Sequence, residues 1–156
     1  MVKIVDCNIM DSKSKIIAHQ VNCMGVMGGG VAKQIKNMYP EAYNGYKAAL
    51  SQYKSLGESP LGKVNFCFIH DKAEGDASYI ANMFGQYNYG TSERQTDYGA
   101  LRSCLETLAA FAKAGNASVS IPYKLGCGLG GGDWEHVVYP MILETMAGVD
   151  VTICRL

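Results

Sequence analysis

The sequence predicts one α/β domain built in three layers, and three observations lead to that prediction. Short β-branched runs alternate with segments in which apolar residues recur every three or four positions. No long linker and no internal repeat divides the 156 residues, so we expect a single domain over 1–156. Hydrophobic residues make up 48% and charged residues 18%, which is typical of a globular chain that buries its own core.

The first third of the chain predicts two strands followed by two helices. The β-branched runs 2–5 and 16–21 indicate buried strands, separated by a polar stretch. A glycine-rich turn, 25–30, leads into a predicted helix over 31–38, and Pro40 suits the first turn of a second helix. The second helix carries one apolar stripe that ends before Gly57: Tyr43, Tyr46, Leu50 and Tyr53.

The middle of the chain predicts a strand pair and a long helix. Residues 63–70 (KVNFCFIH) and 78–84 (SYIANMF) indicate two paired strands, with the turn-forming Gly75 and Asp76 between them. From Gln95 onward apolar residues return at helical spacing: Tyr98, Leu101, Leu105, Leu108 and Ala112. We therefore expect a helix that stops at the Gly115-Asn116 pair.

The last part of the chain predicts strand, glycine loop, helix and strand. Residues 118–121 and 149–154 indicate strands, and 126–132 form a second glycine-rich loop. Asp133 is a good candidate for the N-cap of the helix that follows. The apolar face of that helix consists of Trp134, Val137, Val138, Met141 and Ile142.

Charge and composition limit the classes of partner and the cellular compartment that we expect for this chain. Fourteen basic residues balance fourteen acidic ones without clustering, which argues against nucleic acid as a partner. No apolar run approaches the ~18 residues of a membrane span and the start of the chain lacks a secretory pattern, so we expect a cytoplasmic protein without a membrane partner. The six cysteines form no CxxC pair and no zinc spacing, and we expect neither a metal nor a cofactor.

Both glycine-rich loops lie between a predicted strand and a predicted helix. There the backbone N–H groups can converge on an anion at the helix start, and glycine permits a close approach. Two such loops facing each other would suit a pyrophosphate, although each loop can also be a simple flexible connection. Neither loop has the GKS or GKT of a P-loop or the spacing of a Rossmann dinucleotide site.

The paired motifs AHQVNCMGVMGGGVA and IPYKLGCGLGGGDW resemble the two binding loops of the macro domain family. The resemblance covers essentially the whole chain and implies a three-layer α/β/α fold with a central mixed sheet. Within the family the sequence looks closest to stand-alone ADP-ribose 1''-phosphate phosphatases and terminal ADP-ribose glycohydrolases. ADP-ribose or a derivative is the ligand that the resemblance implies.

The resemblance also implies the ligand-binding residues. In related enzymes the position of Asn22 contacts the distal ribose, and the position of Asn8 carries an aspartate that binds the adenine amino group. The full set transferred to this sequence is Asn8, Ile9, Asn22, Gly28, Gly29, Gly30, Val31, Gly126, Cys127, Gly128, Leu129 and Gly130.

Three departures from the family pattern affect the expected chemistry. The glycohydrolase branch uses a lysine and an aspartate where this chain has Met83 and Gly130, which argues against a covalent lysine mechanism. Cys154 replaces an aromatic residue near the adenine, which leaves Phe84 and Tyr87 as candidates to stack on the base.

Hydrolysis requires a positioned water, a proton acceptor and donors for developing negative charge. The candidate catalytic residues are His19, Asn22 and Asp133. His19 can instead be a structural imidazole, Asp133 a helix cap and the Cys127 thiol an inert core group. Four residues within the segment IANMFGQYNYG are candidates for the pocket rim: Asn82, Phe84, Gln86 and Tyr89.

The expected function is hydrolysis of ADP-ribose 1''-phosphate to ADP-ribose and phosphate. One alternative is a mono-ADP-ribosyl glycohydrolase, which removes ADP-ribose from a modified target. The other is a binding module that senses or sequesters ADP-ribose or another NAD-derived nucleotide without turnover.

Overall fold

A computed structural model describes residues 1–70 and 72–156. Six strands of the described chain form one sheet in the order β1-β6-β5-β2-β4-β3. The strands are β1 (Val2–Val5), β2 (Ile16–Val21), β3 (Val64–Phe68), β4 (Tyr79–Phe84), β5 (Val119–Pro122) and β6 (Val151–Cys154). All neighbours are parallel except β3, which runs antiparallel to β4, so the sheet is mixed as expected.

Helices cover both faces of the sheet, which confirms the three-layer α/β/α architecture. The helices are α1 (Gly30–Met38), α2 (Pro40–Ser55), α3 (Tyr98–Ala114) and α4 (Tyr139–Thr145). A 3-10 turn, Ile9–Asp11, follows β1, and a π-helical turn, Trp134–Val138, precedes α4. Within the described residues, every helix is too short or too polar to cross a lipid bilayer.

Successive side chains of β2 point to opposite faces of the sheet and pack into the hydrophobic core on each side. Ile16 and Ala18 pack with α3 and α4, whereas Ile17 packs with α1 and α2. All three side chains are completely buried, as the unbroken apolar start of this strand predicts for a central parallel strand. Strand β2 is therefore held on both sides up to the point where the first glycine-rich turn begins.

One helix start differs from the sequence prediction and another agrees with it. Helix α3 begins at Tyr98 rather than near Gln95, because the amides of Gln95 and Thr96 donate to the Gly130 carbonyl and Asp97 caps the helix. Asp133 caps the last helical segment as predicted, since its carboxylate accepts a hydrogen bond from the His136 amide.

Strands β2 and β5 are neighbours in the sheet and run parallel. Their carboxyl ends therefore lie side by side at one edge of the sheet, which is where ligands bind in open α/β sheets. The first glycine loop (residues 25–30) follows β2, and the second glycine loop (residues 126–132) follows β5. The topology thus brings both loops to the same edge.

Candidate ligand-binding site

The first glycine loop is shaped by Asn22, which follows the last residue of β2. Its Oδ1 accepts hydrogen bonds from the amide of Met24 at 3.0 Å and from the hydroxyl of Tyr46 at 2.8 Å. Its Nδ2 donates to the Val26 carbonyl at 2.8 Å. Asn22 is almost completely buried, so its side chain acts as an internal template for the loop.

The start of α1 offers backbone N–H groups without a side-chain cap. Gly29 is the N-cap residue and supplies no capping side chain, and Gly30 has a φ of +58°, in the left-handed region that favours glycine. Among the described residues, no protein group accepts a hydrogen bond from the amides of Gly28 and Gly29. These amides and the positive end of the α1 dipole can bind an anion.

The second glycine loop folds back on itself and leaves several amides open. Gly132 donates to the Gly126 carbonyl at 2.9 Å, and Cys127 donates to the Lys124 carbonyl at 2.8 Å. Within residues 1–70 and 72–156, the amides of Gly128, Leu129 and Gly130 donate to no protein group. The loop is therefore a second candidate anion nest.

The two loops border a single cavity of about 600 Å³. Leu129 of the second loop lies against the first, because its Cδ1 would be 3.0 Å from a Cβ placed on Gly29. The end of β2 and residues 86–91 complete the wall, including Gln86 and Tyr89, which were predicted for the rim. The expectation that both loops face one site is confirmed.

His19 lies in the wall of this cavity but is only 1% exposed. Its Nε2 lies 2.6 Å from Asn82 Oδ1. Because Asn82 uses its Nδ2 to donate to the Ala42 carbonyl and to Asn65 Oδ1, its Oδ1 is the acceptor and His19 Nε2 carries the proton. His19 Nδ1 is therefore an unprotonated nitrogen, and it has no hydrogen-bond partner among the described residues.

Burial lowers the pKa of His19 to about 4, and the hydrogen bond with Asn82 offsets only part of that effect. The imidazole is consequently neutral at physiological pH. It can accept a hydrogen bond through Nδ1, but it supplies no positive charge to a bound phosphate. The buried imidazole bonded to Asn82 has the structural role considered from the sequence, and its part in catalysis stays a prediction.

Asp133 and Cys127 do not line the cavity. The Asp133 carboxylate accepts from the His136 amide and lies 3.1 Å from His136 Nδ1, and these contacts lower its pKa. The pKa of the Cys127 thiol is raised to about 11, first by burial and then by the nearby Asp133 charge. Such a thiol is protonated at neutral pH and is a poor nucleophile.

Two residues proposed for the rim or the base lie in the core instead. Phe84 is completely buried and stacks on Tyr46 with ring centroids 5.6 Å apart, so it cannot stack on a ligand base. Asn82 is also completely buried and serves as the partner of His19. Tyr87, by contrast, is 57% exposed.

Comparison with known proteins identifies the family to which this chain belongs. The model of the Macro domain family matches residues 18–141. The chain belongs to the macro domain family. The matched segment contains both glycine loops and every described residue of the cavity wall, so the resemblance seen in the two motifs is confirmed.

Relatives of this macro domain carry different named activities. An ADP-ribose 1''-phosphate phosphatase of Saccharomyces cerevisiae is 30% identical over 86% of this chain and 72% of its own length. A DNA ADP-ribosyl glycohydrolase of Mycobacterium tuberculosis is 28% identical over 94% of this chain, which spans only 40% of that protein. The solved macrodomain of Mycobacterium tuberculosis DarG has a TM-score of 0.81 and 26% identity, covering 99% of this chain and 97% of its own.

The residues expected beside adenine lie outside the cavity wall. Asn8 uses its Oδ1 to accept from the Met10 amide at 3.0 Å in the 3-10 turn, and Ile9 is a core residue. Cys154 is likewise buried and packs in the same cluster as Ile9. Their part in ligand binding stays a prediction.

The structure also accounts for one departure from the glycohydrolase pattern of the macro domain. A Cβ at Gly130 would lie 2.4 Å from Thr96 Oγ1 and 2.7 Å from the Gly126 carbonyl oxygen. No side chain fits there in this conformation, so an aspartate at this position would require a different loop. Met83 is completely buried in β4.

Sequence reasoning missed several residues of this macro domain site. Gln20 and Lys124 line the cavity, and Thr96 hydrogen-bonds to the second glycine loop. Gln20 Nε2 donates to Gln86 Oε1 at 2.7 Å and to Thr96 Oγ1 at 2.9 Å. Lys124 has a φ of +60° and lines the cavity. The available signal for Gln20 was a glutamine next to His19 at the end of the mostly apolar strand IIAHQV.

No cluster of three or more His, Cys, Asp or Glu side chains arranged to hold a metal occurs in the described part of the chain. His70 lies 3.0 Å from Glu41, and His136 pairs with Asp133 as described above. The two histidines therefore contact separate acidic residues.

Proposed function

We propose that this macro domain binds ADP-ribose, with the diphosphate held between the amides of the two glycine loops. The supporting observation is that both loops line one cavity and contain amides that donate to no described protein group. A cavity of about 600 Å³ has the size of a typical small-molecule site. No aspartate or glutamate is among the described residues of its wall, so nothing there repels a dianion.

We propose further that the chain hydrolyses ADP-ribose 1''-phosphate to ADP-ribose and phosphate, with water as the nucleophile. Water attacks phosphorus, the bond from phosphorus to the 1'' oxygen breaks, and the ribose oxygen leaves with a proton. Amides of the loops would stabilise the charge that develops on the phosphoryl oxygens. The 30% identical yeast relative carries the name of this phosphatase.

His19 and Asn22 are the residues to which we assign the chemistry. His19 Nδ1 is an unprotonated nitrogen without a partner, and it is buried behind the cavity wall. It would accept a hydrogen bond from the attacking water once the wall admits that water. Asn22 fixes the first glycine loop and keeps one N–H of its amide for the distal ribose. Asp133 stays a candidate, although its carboxylate caps a helix outside the cavity wall.

Purified protein incubated with ADP-ribose 1''-phosphate should release phosphate. The assay needs a heat-inactivated control and the variants His19→Ala and Asn22→Ala, each checked for ADP-ribose binding by calorimetry. Variants that bind ADP-ribose but lose turnover would support the assigned roles. Phosphate release no greater than in the heated control would remove the phosphatase activity.

A second candidate function is a binding module without turnover, and the burial of His19 favours it. The only titratable imidazole at the cavity is 1% exposed with a pKa of about 4, and no carboxylate of the described wall is available as a base. Tight binding of ADP-ribose with no product by chromatography would select this function. The lack of room for a side chain at Gly130 argues against the glycohydrolase alternative. Release of ADP-ribose from a modified target would establish that alternative.

We propose that the macro domain extends over all of residues 1–156 and works in the cytoplasm on a small-molecule ligand. β1 and β6 lie outside the matched residues 18–141, yet they pair with each other and extend the central sheet through β5. All six cysteines are free thiols, which suits a reducing compartment.

A further inference from the structure

Lys124 adopts a backbone conformation that is costly for a residue with a Cβ. Its φ of +60° lies in the left-handed region, where glycine is the usual residue. The turn around it is fixed at both ends: the Tyr123 amide donates to the Cys154 carbonyl at 2.9 Å, and the Lys124 carbonyl accepts from the Cys127 amide at 2.8 Å. Residues held in such conformations cluster at ligand-binding positions.

Lys124 is also the one side chain of the described cavity wall that is charged at neutral pH. His19 is neutral there, as its pKa of about 4 requires. The salt bridges found between described residues do not include Lys124. Its side chain is exposed, so its ammonium can reorient toward a ligand.

The position of the ammonium places this charge beside the second glycine loop. Lys124 Nζ lies 5.7 Å from the centroid of the Tyr123 ring, and its charge opposes the rise in the pKa of the Cys127 thiol. Arg155 lies at the same distance from that ring, but its guanidinium is paired with Asp6 at 2.7 Å. Only the lysine therefore keeps an uncompensated charge next to this ring.

We propose that Lys124 binds a phosphate monoester carried by the ligand in addition to the diphosphate, and so makes the site prefer phosphorylated ADP-ribose over ADP-ribose. This inference rests on the proposed binding of ADP-ribose. The loop amides supply partial charges suited to the diphosphate, whereas a monoester at neutral pH carries close to two negative charges and gains more from a full cation. A compact ammonium serves this purpose without requiring one fixed geometry.

The test compares ADP-ribose, ADP-ribose 2'-phosphate and ADP-ribose 1''-phosphate. Dissociation constants come from calorimetry, with kcat/KM replacing them for any ligand that is turned over. Lys124→Met removes the charge and keeps the strained backbone, Lys124→Gly removes both, and Lys124→Arg restores the charge. Lys3→Met, an exposed lysine on β1, is the matched control.

We expect Lys124→Met and Lys124→Gly to weaken binding of at least one phosphorylated ligand roughly tenfold, with ADP-ribose changed less than about twofold. Lys124→Arg should recover most of the loss, and Lys124→Gly should also raise the Tm because the strain is gone. A loss confined to the 2'-phosphate ligand would place the monoester at the adenine-side ribose, and a loss confined to the 1''-phosphate ligand would place it at the distal ribose.

Equal losses for all three ligands, or no loss for any, would overturn the lysine proposal while leaving ADP-ribose binding in place. A wild-type protein that binds none of the three ligands would instead overturn the proposed function itself. The two failures are therefore distinguishable in one set of titrations.

Discussion

Thr96 Oγ1 donates a hydrogen bond of 2.7 Å to the Gly126 carbonyl oxygen, which joins the approach to α3 to the second glycine loop. The same hydroxyl accepts the 2.9 Å bond from Gln20 Nε2 at the end of β2. One buried hydroxyl thus links the segment before α3, strand β2 and the second glycine loop. The shape of the loop depends on a residue 30 positions before it.

Thr96→Val should loosen the second glycine loop without unfolding the protein. Removing the hydroxyl leaves the Gly126 carbonyl with only the Gly132 amide, and the loss should lower the free energy of unfolding by about 1 kcal/mol. We expect ADP-ribose affinity to fall roughly fivefold, which corresponds to about 1 kcal/mol. Calorimetry and urea denaturation measure the two effects.

The matched control is Thr107→Val. Its hydroxyl donates to the Ser103 carbonyl on the exposed side of α3, so the same chemical change is made away from the cavity. Similar affinity losses in both variants would show that the Thr96 link does not position the loop.

Gly130→Ala should damage the site far more than Gly128→Ala. A Cβ at position 130 meets two oxygen atoms at 2.4 and 2.7 Å, whereas a Cβ at position 128 has no heavy atom within 4 Å. We expect Gly130→Ala to lose at least about tenfold in ADP-ribose affinity and about 1 to 3 kcal/mol of stability, as overpacked sites do. Gly128→Ala should be nearly neutral in stability, and equal effects in the two variants would contradict the packing described here.

His19 should make the protein less stable as the pH falls below 6.5. Its folded pKa of about 4 lies below the unfolded value of 6.5, so the unfolded state binds the proton more readily. The stabilisation is fully present above pH 6.5 and is lost as the pH falls toward 4. Between pH 7 and pH 5 this group alone should lower the free energy of unfolding by about 2 kcal/mol.

Urea denaturation of the wild type and of His19→Gln at several pH values checks this slope. Carboxylates titrate in the same window in both proteins, so the difference between the two curves isolates the imidazole. Parallel curves would mean that the imidazole titrates normally in the folded protein.

Asp133→Asn separates the capping role from a catalytic one. Asparagine is a good N-cap residue, so stability should be nearly unchanged, whereas Asp133→Ala should lose about 1 kcal/mol. If the carboxylate only caps the helix, phosphate release from ADP-ribose 1''-phosphate should stay within about twofold in Asp133→Asn. A large fall in kcat in that variant with retained stability would establish Asp133 as catalytic.

Local patterns predicted the strands well because each strand is short and contains several β-branched or aromatic residues. The bounds 2–5 and 16–21 are confirmed, and the pairing of the two strands predicted at 63–70 and 78–84 is confirmed over shorter ranges. The start of α3 was placed three residues too early, since nothing in the local sequence shows that the Gln95 and Thr96 amides donate to Gly130 instead of opening the helix.

The sequence predicted those parts of the site that lie within one loop with a recognisable local pattern. It did not predict the contacts between segments that are distant in the sequence. The two glycine loops could be recognised from their composition. Their position at the same edge of the sheet followed from their location between a predicted strand and a predicted helix. Gln20 and Thr96 are 76 residues apart, and their hydrogen bond exists only once β2 and the segment before α3 are brought together by the fold. The positive φ of Lys124 could not be inferred either, because no local signal marks a lysine for that conformation.

The most direct measurement is a titration of the ¹⁵N-labelled protein with ADP-ribose, followed by the chemical shifts of the backbone amides. The amides of Gly28, Gly29, Gly128, Leu129 and Gly130 should shift most, with saturation at one equivalent. Residues around the lysine-lined hollow at the opposite ends of the strands, such as Lys15 and Ser118, should stay unchanged. Saturable shifts centred on that hollow, or none in either glycine loop, would contradict diphosphate binding between the loops.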